Sequence, residues 1–244
     1  MKIRHLALFA IALMLLSVEA PPQAARAAAS NFPGSCSGCD FSGMDLSGRD
    51  LSGAHYAGVD FHGTNLRGAN LRGAHLAGAN FADADLRDVD FRDASLAGCD
   101  FRGAKLDGAK FDGIRMAGSN LAGADLHGRD LHGISMPGAD LHGAHLAGTN
   151  LSGADLEGGN LRDADLRNAD LHGARVCWKN DDSWNGGDRL GCIDLTGADL
   201  HGAKLSGVQI CQNGDDRHGN DCSPVDAATL REQSHSSLDG ATGP

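Results

Sequence analysis

Aromatic side chains are scarce in this chain, with eight Phe, two Trp and one Tyr among 244 residues. A core built on aromatic packing is thereby excluded, and whatever folds must bury small and aliphatic groups. Positive charge is short as well. Lys and Arg total 21 against 32 Asp and Glu, a formal charge of −11, so no net basic field exists to displace counterions from a nucleic-acid backbone. Proline numbers only six, and the 35 glycines follow no Gly-X-Y period, which removes a collagen reading. Catalytic motifs are missing too. No phosphate loop, nucleophile elbow, zinc-protease motif or Ser-His-Asp arrangement stands out, so the chain is read as non-enzymatic, with no catalytic or cofactor-binding residue assigned and no cofactor expected.

A long apolar run is also absent. Leu6 to Leu16 is apolar but too short to span a bilayer comfortably. With Lys2 and Arg4 before it and Ala25-Arg26-Ala27-Ala28-Ala29 after it, residues 1–29 read as a secretory signal peptide cleaved between Ala27 and Ser30. The expectation is an exported protein, periplasmic or extracellular, with no stable membrane insertion. Loss of the leader's three bases (Lys2, Arg4, Arg26) and one acid (Glu19) takes the charge to −13.

Against these absences stands one strict period. From Phe41 to Val176 every fifth residue is apolar, 28 in succession through Leu46, Leu51, Tyr56 and Phe61. Two residues before them the pattern is a small or modest apolar residue, most often Ala, and one before sits mostly Asp or Asn. Two after, 22 of the 27 positions from Gly43 to Gly173 are glycine, the others being Asp83, Asp88, Asp93, Asp163 and Asn168. A helix would smear a five-residue period around its axis, and a continuous strand would alternate its faces. A backbone that turns about 90° after every five residues puts each fifth side chain inside, closing a square coil every twenty. Glycine then marks the corners, where turns need positive φ, and Asp or Asn can replace it.

Units such as Ala69-Asn70-Leu71-Arg72-Gly73, Ala124-Asp125-Leu126-His127-Gly128 and Ala164-Asp165-Leu166-Arg167-Asn168 resemble the A(D/N)LXX motif of pentapeptide-repeat proteins. The resemblance implies an all-β fold, a right-handed quadrilateral β-helix with the central Leu or Phe and the preceding Ala inside. The expected organisation is an N-terminal cap at 30–38, seven coils over 39–176, an insertion at 177–192, an eighth coil at 193–212 and a loop, short helix and polar tail over 213–244. Ser223-Pro224-Val225-Asp226 reads as the helix start.

Seven cysteines in an exported chain suggest disulfides and one odd thiol. Cys99 takes an inward small-residue slot and is read as the buried thiol. Cys177 and Cys211 each directly follow an inward residue, Val176 and Ile210, and bracket loops with Cys192 and Cys222. Bridges Cys177–Cys192 and Cys211–Cys222 are therefore expected, with Cys36–Cys39 closing the N-terminal end.

One face of the coil differs from the rest, carrying Ala57, Ala77, Ala97, Ala117 and Pro137 after its central residues. This flat face, with the loop tryptophans Trp178 and Trp184, forms the candidate contact surface for a protein partner. A homodimer through the solenoid end or that face is the self-association the architecture allows. His55 and His75 fall in one column and are weak metal candidates, and Asp181, Asp182, Asn185 and Asp188 lack calcium-loop spacing.

The resulting expectation is a structural or interaction scaffold. The alternatives are a DNA mimic, as among the family's gyrase protectors, and a metal-binding module. Residues 40–176 hold 20 acids and 13 bases, about one net charge per 5 Å of rod against one per about 1.7 Å in duplex DNA, a poor electrostatic copy.

Overall fold

In the computed structural model the described residues are 34–180, 189–195, 197–212 and 221–224. The chain divides into Met1–Pro33 and Gly34–Pro244, and all described residues belong to the second unit. The expected signal peptide, Trp184, the loop acids and most of the C-terminal tail lie outside them.

From residue 35 onward the backbone repeats one step. Parallel bridges join residues twenty apart, Asp40 to Asp60, Asp45 to Asn65, Asp50 to Asn70 and His55 to His75, and the pattern continues coil upon coil. Each coil thus has four faces, named here by their first central residues Phe41, Leu46, Leu51 and Tyr56. Counting from the inward residue before Phe41, the first coil is 39–58 and the fourth and fifth are 99–118 and 119–138. A typical boundary carries twelve backbone hydrogen bonds. Between the third and fourth coils they include Phe81 N–H to Asp100 O at 2.7 Å and Leu86 N–H to Lys105 O at 2.9 Å.

The corners follow the expected chemistry. Positive φ occurs at the expected glycines and also at Asp83, Asp88, Asp93, Asp163 and Asn168, with φ of 56–63°. The interior is filled by the central residues and by the small residues two before them. Leu66, Leu71, Leu76, Phe81 and Leu86 are fully buried, as are Ala74 and Ala84. Phe61, Phe81 and Phe101 stack with centroids 5.2 and 5.1 Å apart. Polar residues in the small slots are satisfied by one recurring bond to a carbonyl 23 residues earlier: Thr64 to Phe41, Ser119 to Leu96 and Thr149 to Leu126. Without that partner a buried hydroxyl would cost stability.

The ladder starts one unit earlier than the run of apolar residues indicates. Ser35 bridges His55, and Cys36 N–H donates to His55 O. Cys36 therefore occupies a central position and Cys39 the next inward slot. A period counted on large apolar residues misses a unit whose centre is cysteine. The two lie side by side in the mouth of the channel, 5.8 Å apart at Cα with their sulfurs in contact.

After Val176 the chain leaves the square coil as β1 (Arg175–Asn180), pairs antiparallel with β2 (Arg189–Cys192), and then resumes. The bridge separation grows from 20 to 34, Asn160 to Asp194 and Asp165 to Asp199, so the eighth coil stacks in register despite the insertion. It ends in β3 (Gln209–Gln212), which pairs parallel with β1 and antiparallel with β4 (Asp221–Pro224), giving the sheet order β2-β1-β3-β4. Pro224, expected in the first turn of a helix, closes β4 instead, because pairing with Gln209 extends the strand that far. The rest of the expected helix lies outside the described residues.

Candidate functional site

The outward side chains begin with the residue before each centre. Its carboxylate or amide oxygen accepts the backbone N–H two residues on, as Asp40 does from Ser42 at 2.9 Å and Asp60 from His62 at 2.9 Å. This local turn is why Asp and Asn dominate the position. A second bond joins coils: the Asn65, Asn70, Asn80, Asn150 and Asn160 amides each donate to the Asp one coil below. Above the stacked Asp40 and Asp60, alternating Asp with Asn spares that column the repulsion of stacked like charges.

Where acid columns meet arginines, the charges pair. Arg87, Arg92, Arg102 and Arg167 grip the carboxylates two residues before them, Arg102 on Asp100 at 2.6 Å and Arg167 on Asp165 at 2.7 Å. Hydrogen bonding from Arg92 holds Asp90 down to about 2, and Asp85, Asp100 and Asp165 are lowered for the same reason. Arg67 reaches corner Asp88 at 3.5 Å and Arg72 reaches Asp93 at 3.1 Å. The corner acids and the arginine columns thus neutralise each other locally.

The Tyr56 face presents its expected small residues: Ala57, Ala77 and Ala117 are exposed, Ala97 and Pro137 partly so. His55 and His75 stack at its start, with centroids 4.4 Å apart and planes within 9°. Face-to-face stacking sends their in-plane lone pairs along parallel lines, and among the described residues no three His, Cys, Asp or Glu side chains gather as a metal set. Towards the C-terminal end the face closes over a charged cluster, where Arg175 is paired with Asp155 and lies 3.7 Å from Glu157. Burial pushes the Glu157 carboxyl up, with Asp155 adding to the effect and Arg175 opposing it. Trp178 follows in β1, beside Cys211 of β3 in the parallel register.

Among the described residues His132 contacts Ser152 and His172 contacts Ser206, each at 2.9 Å. Neither histidine forms, among the described residues, an ion pair with an acid that would orient its second nitrogen, as a nucleophile's base would require. The Cys99 thiol is buried, pushed up to about 12 by desolvation, and donates to Leu76 O at 3.1 Å. It is a packed core residue.

The four C-terminal cysteines fall into two pairs by backbone register. Cys177 stands opposite Cys192 and Cys211 opposite Cys222. Across β1 and β3 the pairs are one step out of phase, Cys177 facing Ile210 and Trp178 facing Cys211.

One inward residue carries no sequence expectation. Arg129 stands in a column that takes Ala, Val or Thr in the other coils above the first, whose Arg49 begins it, and its guanidinium lies 3.5 Å from the Asp107 carboxylate. Its departure from the small-residue column was the available signal.

A match to a family model agrees with this architecture. The family model for pentapeptide repeats matches in eight copies, covering residues 35–73, 57–93, 99–136, 119–163 and 137–173. HetL, a pentapeptide repeat protein involved in heterocyst differentiation regulation from the cyanobacterium Nostoc, is 28% identical. That match covers 71% of this chain and 77% of HetL, with a TM-score of 0.36. Full-length QnrB1, a plasmid-mediated fluoroquinolone resistance protein, is 24% identical over 68% of this chain and 90% of its own, with a TM-score of 0.38. A pentapeptide repeat protein of the Arabidopsis thaliana thylakoid lumen is 24% identical over 68% of each chain, with a TM-score of 0.18. No curated protein sequence matches.

Proposed function

The chain belongs to the pentapeptide repeat family, whose members form right-handed quadrilateral β-helices, and from that premise we propose that it is an exported, non-catalytic scaffold that binds a protein partner. One observation carries the reading. Acids and bases on the Phe41, Leu46 and Leu51 faces are engaged with one another or with their own backbone, as in the Asn65–Asp45 bond and the Arg87–Asp85 pair. The Tyr56 face instead presents small residues after its centres from Ala57 to Pro137. Burying small, weakly solvated side chains costs little desolvation, whereas breaking the paired columns would expose unmet charges.

The same pairing disfavours acidic DNA mimicry. A mimic needs carboxylates at phosphate-like density, and here most acids alternate with amides or face arginines within the rod itself. The stacked His55 and His75 supply two nitrogens and no third ligand, which makes a metal module the weaker reading.

Residues 30–244, fluorescently labelled, should cross-link to a protein of the exported fraction. Ala77→Arg with Ala117→Arg should abolish the cross-link while the circular dichroism stays unchanged. In a gyrase supercoiling assay with a fluoroquinolone, the protein should leave inhibition as it is. Protection of gyrase, or a cross-link indifferent to both substitutions, overturns the proposal.

A further inference from the structure

The coil-to-coil ladder is interrupted once within the continuous repeat. Between the fourth and fifth coils, bonds remain on two faces only: Phe101 N–H to Asn120 O at 2.8 Å, Asn120 N–H to Cys99 O at 2.8 Å, Met116 N–H to Ser135 O at 2.8 Å and Gly118 N–H to Pro137 O at 2.9 Å. The Leu46 and Leu51 faces have none across this boundary. The bridges that the period calls for between Lys105 and Asp125 and between Lys110 and Asp130 are missing, although their neighbours Asp85–Lys105 and Asp125–His145 are formed. The parting shows in solvent exposure too. Ala104 is half-buried where Ala84 one coil earlier is fully buried, and Phe111 is 6% exposed against 0% for Phe91. Nearby bonds are stretched, Ile114 N–H to Phe111 O to 3.4 Å and Arg115 N–H to Ala94 O to 3.3 Å.

Arg129 supplies the cause. Its inward slot lies at the corner between the two parted faces, directly over Ala109 of the fourth coil and under Thr149 of the sixth. Alanine or threonine fits there, and Arg49, the column's other arginine, lies in the first coil, where the described ladder places no coil beneath it on these faces. A guanidinium cannot be buried unpaired, so the side chain runs out between the coils to Asp107, and it is 23% exposed. The covalent link from the fourth coil to the fifth passes through Gly118-Ser119, at the diagonally opposite corner, where every ladder bond is kept.

We infer that this boundary is a hinge in the solenoid, wedged open by Arg129 about the Gly118–Ser119 corner. The sequence also provides what would close it. With Arg129 withdrawn, Lys105 would stack on Asp125 and Lys110 on Asp130, opposite charges at strand spacing. Instead the two lysines act electrostatically on Asp85 and Asp90 of the third coil. The boundary therefore has two arrangements. One is held open by Arg129–Asp107, and the other is closed by two columns of alternating charge and eight further backbone bonds.

Amide hydrogen exchange on the full chain tests this. The amides of Leu106, Gly108, Phe111 and Gly113 should exchange at least about 100-fold faster than those of Leu86, Asp88, Phe91 and Asp93 one coil earlier, although both sets lie mid-rod. Arg129→Ala, or Arg129→Thr after Thr149 one coil on, should abolish that difference and leave the third coil unchanged. Equal protection of the two sets in the wild type overturns the hinge, and this comparison needs no variant. A folded Arg129 variant whose four amides remain fast overturns the assignment of Arg129 as the wedge.

Discussion

Individual positions in this protein are constrained from one coil away. Gly108 has φ of +73°, and a Cβ placed on it would lie 2.3 Å from the Asp88 carboxylate of the preceding coil. An acid at one corner therefore requires glycine at the next. Gly108→Ala should destabilise by about 1–2 kcal/mol from its backbone alone. Some of any further loss should be recovered in the Asp88→Gly background, a coupling that denaturant unfolding of the four proteins would read. The paired acids set the response to pH. Asp85, Asp90, Asp100 and Asp165 have folded values below the unfolded carboxyl near 4. Their contribution is present in full above pH 4 and is lost as pH falls through the folded values, about 2 for Asp90. The melting temperature should therefore drop between pH 4 and pH 2, and Arg92→Gln should flatten that drop. A slope unchanged by the substitution would remove the Asp90–Arg92 pair as a contributor.

At the level of elements, the five-residue period placed the corners, the inward columns and the coil length, because in a solenoid each unit repeats its neighbour's environment. The five corners without glycine were legible for the same reason, and all five have positive φ. The Asp and Asn before each centre were visible as a pattern, but their reason was not. It lies in the bond to the backbone two residues on and in the amide-to-acid bond between coils, which requires the twenty-residue stacking to be known. Arg129 was equally visible as a letter, yet its effect depends on whether a long side chain finds room between two coils. The C-terminal sheet shows the complementary case. Equal placement of Cys177 and Cys211 after Val176 and Ile210 pointed to paired loops, and the strand register sets each cysteine opposite its expected partner. Peptide mapping of the unreduced protein should return Cys177–Cys192 and Cys211–Cys222, with Cys99 alkylated only after unfolding. A Cys177–Cys211 bridge would contradict the one-step offset between the pairs.

For the whole molecule, the charge balance and the ladder bear on function together. A rod whose acids and bases are spent coil by coil presents little net pattern for a partner to read, which directs attention to the small-residue Tyr56 face and to the sheet at its end. How that face is used was beyond the sequence, since flatness depends on which side chains the coil turns outward together. The direction of the ladder has a mechanical meaning as well. Its hydrogen bonds run along the rod, so under tension the bonds of one boundary share the load while successive boundaries bear it in series. Such a chain of links breaks at its weakest member. Twelve bonds join the third coil to the fourth, and four join the fourth to the fifth. A pull on the two ends would part the rod at Arg129 first, and the two half-rods would separate on their Gly118-Ser119 tether before either began to unwind.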